Sequence, residues 1–143
     1  MRLTQFIALG LIAAAAPVLA KDITVHMQNQ GKDGMMVFEP AFVKASVGDT
    51  VHFVPTDQSH NAETIEGMLP DGIAHTIGGM NKEMTLKIEK PGVYGIKCKP
   101  HFAMGMVALV QAGKTPANLE AAKAVKLPGL AAKRMAPLLA QVK

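Results

Sequence analysis

Between Asp22 and about Gly113 the apolar residues tend to alternate with polar ones, as in Ile23-Val25-Met27, Val51-Phe53, Leu86-Ile88 and Tyr94-Ile96-Cys98. A period of two places successive side chains on opposite faces of a strand, so each run predicts a strand buried on one face. The runs are short and are punctuated at Gly31/Gly34, Gly48-Asp49, Pro70-Asp71-Gly72, Gly78-Gly79 and Pro91-Gly92. Many short strands with frequent turns and no strand–helix–strand rhythm predict an antiparallel β-sandwich or barrel. The tail reads differently. Thr115-Pro116 predicts a capped helix start with proline at the first helical position, and Leu119, Ala122 and Val125/Lys126 follow at helical spacing for about three turns. Pro128-Gly129 ends that helix, and Leu130 to Val142 predicts a second, which Pro137 would kink or stop. Two C-terminal helices would cover an edge or end of the sandwich.

Ahead of this pattern, Arg2 precedes an apolar stretch from Phe6 to Ala16, and Val18-Leu19-Ala20 places small residues where a signal peptidase reads. Residues 1–20 are therefore predicted to be a secretory leader, cleaved after Ala20. Its apolar part is shorter than the roughly 20 residues of a membrane span, and no later stretch is long and apolar enough to cross a bilayer. The expectation is an exported, periplasmic protein, monomeric and free of the membrane once the leader is removed. Residues 21–143 have the length of a single domain with one core. The formal net charge is +4 at pH 7, Arg2 leaves with the leader, and the remaining lysines are spread rather than gathered. That distribution argues against nucleic acid and suits the steering of an acidic protein partner into a short-lived encounter.

An exported chain meets an oxidising compartment, yet its one cysteine, Cys98, has no partner for an internal disulfide. The count alone leaves two readings, a buried inert thiol or a thiolate used as a metal ligand or nucleophile. Its neighbours change the balance. In Cys98-Lys99-Pro100-His101-Phe102-Ala103-Met104-Gly105-Met106 a thiolate, an imidazole and a thioether share one loop as C-x2-H-x4-M. Thiolate and thioether favour copper, and two imidazoles with one thiolate and a weak axial methionine form the blue-copper electron-transfer ligand set.

The second imidazole has to come from elsewhere. His60, in the polar stretch Asp57-Gln58-Ser59-His60-Asn61 just past a strand ending near Val54-Pro55, is the best placed. Two loops at one end of a sandwich can converge on an ion that neither could hold alone. His26 and His52 fall within strand patterns and read as outward-facing, whereas His75 lies in a turn-rich segment and reads as solvated. Met104 lies two residues closer to His101 than Met106 and is the lesser candidate for the axial position. Met27, Met68, Met84 and Met135 need no role beyond filling core gaps.

Three other chemistries use similar residues. A copper carrier that binds the ion in order to deliver it uses the same soft ligands, but on open, flexible Met/His-rich segments rather than in a tight loop. A hydrolase with Cys98 as nucleophile and His60 or His101 as base would need an oxyanion-hole signal and has no use for the methionine. Structural zinc rarely recruits a thioether.

His60-Asn61 followed far downstream by Cys98-x2-His101-x4-Met106 resembles the signature of the cupredoxins, the blue-copper proteins, with the spacings of the pseudoazurin branch. Val25-His26-Met27, Met36-Val37-Phe38-Glu39-Pro40, Gly48-Asp49-Thr50-Val51, Pro91-Gly92-Val93-Tyr94 and Pro116-Ala117-Asn118-Leu119 resemble that family too, so the likeness runs along the whole mature chain. Ser59, where many members carry glycine, and Pro137 are departures. The resemblance implies an all-β, cupredoxin-like Greek-key sandwich with two C-terminal helices. It also implies one copper ion, cycling between Cu(II) and Cu(I), held by His60, Cys98, His101 and Met106 in an electron carrier that is not an enzyme. It further implies that Asn61 bonds across to the Cys98 loop, that Met36 packs over a ligand ring, and that the partner is a copper nitrite reductase or a c-type cytochrome.

Two features bear on how such a site would work. Pro100 has no N–H, which withholds a hydrogen bond from the thiolate region and leaves electron density on sulfur. His101 is expected at the exposed edge, ringed by Met36, Pro100 and Met104, with Lys32, Lys82, Lys97 and Lys99 as a basic collar for an acidic partner.

Overall fold

The computed structural model describes residues 19–114 and 116–143. Residues 1–18 of the expected leader, and the capping role read for Thr115, lie outside them. In chain order the strands are β1 (Asp22–Gly31), β2 (Gly34–Glu39), β3 (Phe42–Ala45), β4 (Thr50–Pro55), β5 (Glu63–Thr64), β6 (Met84–Lys87), β7 (Gly92–Lys97) and β8 (Val107–Ala112). The helices α1 (Leu119–Ala124) and α2 (Leu130–Leu139) follow. Two four-stranded sheets, ordered β2-β1-β4-β6 and β3-β8-β7-β5, face each other as the expected Greek-key sandwich.

Hairpins β1–β2 and β7–β8 are antiparallel, but β1 with β4 and β3 with β8 pair in parallel. The parallel pairs arise because the chain crosses from one sheet to the other between β2 and β3 and again between β3 and β4. A strand that returns after such crossings runs beside an earlier one in the same sense.

The first sheet is buried on one face, which is why β4 alternates half-buried and buried residues through Phe53 and β6 alternates buried and exposed ones. Val25, Met27, Val51, Phe53 and Leu86 meet Tyr94, Ile96, Ala108 and Val110 across the sandwich. The second sheet is buried on both faces, and β8 is buried at every position. On its outer side Val93, Val107 and Leu109 pack against Ala122, Ala131, Met135 and Leu138 of the helices. Each Val, Leu, Ile or Met side chain among these contributes about 1.5–3 kcal/mol when removed from water.

Helix α1 is shorter than its sequence spacing predicts. Asn118 precedes it without capping it, because its side chain is bound sideways to β7. Its Oδ1 accepts from the Val93 N–H and its Nδ2 donates to the Val93 carbonyl, both at 2.8 Å. Helix α2 runs through Pro137 and ends at Leu139. Near a C-terminus the hydrogen bond that proline removes is one of few left to lose. No helix among the described residues is long and apolar enough to cross a membrane.

Candidate metal centre

Strands β7 and β8 form a hairpin whose last cross-strand pair is Lys97 and Val107. Residues 98–106 are its connection, so Cys98 and Met106 meet at its base, where the Cys98 N–H donates to the Met106 carbonyl at 3.0 Å. The loop then folds back on itself, with the His101 carbonyl accepting from Met104 and Met106, each at 3.1 Å. Cys98 and Met106 are fully buried in the sandwich core, and His101 is half-buried at the tip. Gly105 has a φ of 88°, and a Cβ there would lie 2.6 Å from Arg134 Cδ, so glycine is required both by its backbone and by the helix packed on it.

His60 arrives from the other side. The chain leaves β4 at Pro55 and turns through Ser59, whose φ of 74° is left-handed. Asn81 supports that turn on both flanks: its Oδ1 accepts from the Ser59 N–H, and its own N–H donates to the His60 carbonyl at 2.7 Å. Ser59, a departure from the glycine of its look-alikes, therefore keeps the glycine-like conformation. His60 is fully buried.

The two arms bring three donor atoms together. His60 Nδ1 and His101 Nδ1 are 3.2 Å apart, and Cys98 Sγ lies 3.8 Å from the first and 3.5 Å from the second. A triangle with these sides has a point in its plane about 2 Å from each corner, the length of a metal–imidazole bond, which is about 2.0–2.1 Å for zinc. Among the described residues this is the one group of three or more His, Cys, Asp or Glu side chains close enough to share an ion. Two imidazoles and a thiolate, with a buried methionine at the base of the same loop, fit copper by the softness of the donors.

Surrounding groups set the donors up for a cation. His60 Nε2 lies 2.9 Å from Asn29 Oδ1. An amide oxygen only accepts, so the ring proton sits on Nε2 and Nδ1 is left bare for the ion. Burial lowers the His60 pKa, and the nearby His101 lowers it further against the opposing pull of Asp57. Burial and His101 thus favour the neutral ring, the form a ligand must take. Burial pushes the Cys98 thiol up, while the backbone N–H groups of Asn61 and His101 work against that. Without a cation the sulfur keeps its proton, so metal binding releases it.

Asn61 does what the resemblance implied: its Oδ1 accepts the Lys99 N–H at 2.8 Å, joining the His60 arm to the hairpin loop. Met36 packs against the core cluster that includes Cys98 and Met106. His26 is exposed and bonded to Thr56, and His75 is exposed with its Nδ1 on Thr64. His52 spans Glu83 and Asp22 with its two ring nitrogens. Met104 is 44% exposed, unlike the fully buried Met106, and belongs to the surface around His101.

The lysine collar needs correction at one position. Lys32, Lys82 and Lys99 are exposed, but Lys97 turns inward to an ion pair with Glu63 at 3.1 Å and lies 5.0 Å over the Phe102 ring. Sequence reasoning also missed Asn29, Asn81, Glu63 and Arg134. Arg134 Nη1 reaches from α2 to the carbonyls of Met35, Met36 and Gly105, at 3.0, 3.0 and 3.3 Å. No motif marks any of the four: Asn29, Asn81 and Arg134 act from segments distant in sequence, and Glu63, two residues after Asn61, shows its role only through its buried pairing with Lys97.

A family profile described as copper binding proteins of the plastocyanin/azurin family matches residues 25–113. The chain is 53% identical to a pseudoazurin from Paracoccus pantotrophus over 94% of this chain and 93% of that protein. It is 50% identical to a pseudoazurin from Methylorubrum extorquens over 92% of this chain and 88% of that one. The crystal structure of native pseudoazurin from Hyphomicrobium denitrificans superposes with a TM-score of 0.81 at 50% identity, covering 85% of this chain and 98% of the other.

Proposed function

The chain belongs to the plastocyanin/azurin family of copper-binding proteins, in its pseudoazurin branch, and from that membership we propose that it is a periplasmic electron carrier rather than an enzyme. Its cofactor is copper. Bound copper supplies a one-electron couple, Cu(II)/Cu(I). In this reading one ion is held by His60, Cys98, His101 and Met106, in a single domain of residues 21–143 that works as a monomer once residues 1–20 are removed.

The observation that carries the reading is the three-atom triangle set in a frame of hydrogen bonds between protein groups. Asn29 fixes the His60 ring, Asn61 ties the two arms, and the hairpin base ties Cys98 to Met106. Such a frame suits a centre whose ligands must move little between oxidation states. Met106 would supply the weak thioether donor, and its burial would keep water from that side. His101, half-buried among exposed Pro100 and Met104, is the route by which electrons enter and leave. Exposed Lys32, Lys82 and Lys99 steer an acidic redox protein to that patch, a copper nitrite reductase or a c-type cytochrome. The leader pattern of residues 1–20 supports the periplasm.

Repeated oxidation and reduction of the copper-loaded protein in the presence of a strong copper chelator tests this function. An electron carrier keeps its ion through many cycles; loss of the ion to the chelator within a few cycles would favour a protein that delivers copper.

A further inference from the structure

Glu63 is a carboxylate whose side chain is only 5% exposed. An unpaired charge at such a depth is strongly disfavoured, so its partners matter. Strand β5 sets Glu63 directly opposite Lys97 on β7, and Lys97 Nζ lies 3.1 Å from Oε1. The other oxygen, Oε2, accepts from Asn61 Nδ2 at 3.4 Å.

A carboxylate accepts and never donates, and that fixes the direction of the Asn61 amide. The Asn61 nitrogen has to face Glu63 and the Gly78 carbonyl, the second acceptor at 3.2 Å, which turns Oδ1 toward the Lys99 N–H beside Cys98. Reversed, the amide would set oxygen against two acceptors and NH2 against an N–H. Lys97, held by Glu63, in turn covers Phe102 within the hairpin loop. One buried carboxylate thus reaches both arms of the metal centre.

We propose that Glu63 is a positioning residue of the copper centre, which sets the orientation of the Asn61 clasp and, with Lys97, sets the local charge that tunes the reduction potential. This rests on the ligand set proposed above. Oxidised copper carries one more positive charge than reduced copper, so a nearby anion favours the oxidised state and a nearby cation the reduced state.

Glu63→Gln, Lys97→Gln and the double variant, each copper-loaded and compared by voltammetry at pH 8, test the proposal. Glu63→Gln leaves the lysine charge unopposed and also lets the Asn61 amide turn, so its potential rises. Lys97→Gln leaves the carboxylate unopposed, and its potential falls. The double variant lies between them. Lys97 is half-buried at the end of β7, so Lys97→Gln gives a reading even where Glu63→Gln fails to fold. Potentials unmoved in variants that keep an intense thiolate-to-copper band, or shifts of the two single variants in the same direction, would overturn this inference alone. A parent protein without that band would overturn it together with the ligand set.

Discussion

The two arms of the metal centre are built on opposite plans. On the His60 arm the ring is fully buried, its far nitrogen is fixed by Asn29, its carbonyl is held by Asn81, and the residue after it is clamped by Glu63 and Gly78. On the His101 arm the ring sits half-buried at the tip of a hairpin connection, among exposed Pro100, Ala103 and Met104. The first arm rests mainly on side-chain hydrogen bonds from β1, β5 and the 78–81 turn; the second rests mainly on backbone bonds within nine consecutive residues, with Asn61 and Arg134 bound to it from outside. In the proposed function the difference separates two tasks, retention of the ion and exchange with a partner. A centre buried on both sides would keep copper but transfer slowly, and one exposed on both sides would lose it.

The largest expected effect comes from emptying each arm in turn. His60→Gly and His101→Gly both lose the blue colour of the copper-loaded protein. Added imidazole restores it only in His101→Gly, because only that vacancy opens to solvent. Equal rescue of both, followed by visible absorption, would erase the distinction between the arms.

A smaller effect is expected from Asn29→Leu, which removes the acceptor that fixes the His60 tautomer. Copper affinity should fall about 10- to 100-fold, as measured by chelator competition, since partners of ligand histidines typically contribute that much. On the His101 arm, Pro100→Ala should raise the reduction potential by admitting an amide donor near the thiolate. An unchanged or lowered potential in voltammetry would count against the role read for Pro100.

A histidine away from the centre provides a control. His52, on the outer face of the first sheet, is bonded through Nδ1 to Glu83 and through Nε2 to Asp22, and these bonds raise its pKa, Glu83 contributing most. A raised folded-state pKa favours the protonated fold, so this stabilisation is fully present below the unfolded value of about 6.5 and is lost as pH rises through the folded value. Melting temperatures should fall across that window in the parent and fall less in His52→Gln, while the reduction potential of the variant stays at the parent's. The smallest effect is at Ser59. Its left-handed φ of 74° stores strain, so Ser59→Gly should stabilise the protein by about 1 kcal/mol in denaturant titrations. The Asn81 bond to the backbone N–H survives the change.

The same contrast explains what was legible in the residues. Cys98, His101 and Met106 share one hairpin connection, so their spacing alone suggested a metal loop, and His60 stood out as a polar-loop histidine after a strand. Alternation revealed the one-sided strands of the first sheet, such as β4 and β6. It could not reveal the parallel pairing of β1 with β4, which depends on two crossings between sheets. Asn29, Asn81 and Arg134 left no pattern, because each reaches the site from an element remote in sequence, and Glu63, though close to His60 in the chain, gave no sign of its burial against Lys97. Lys97 was misplaced for a related reason, since a lysine at a strand end looks solvated until the glutamate opposite is known to be buried. The length of α1 was misjudged because Asn118 spends its side chain on Val93 rather than on the helix.

The most direct test of the central claim, that Cys98 is the thiolate ligand of a copper ion which cycles between two oxidation states, is the visible spectrum of the purified mature protein. It should be recorded after copper loading and oxidation, again after reduction, and again after reoxidation. The account predicts an intense thiolate-to-copper band that bleaches on reduction and returns on reoxidation. A protein that contains copper but shows no such band would mean that Cys98 does not bind the ion, and the assignment of the centre would be wrong.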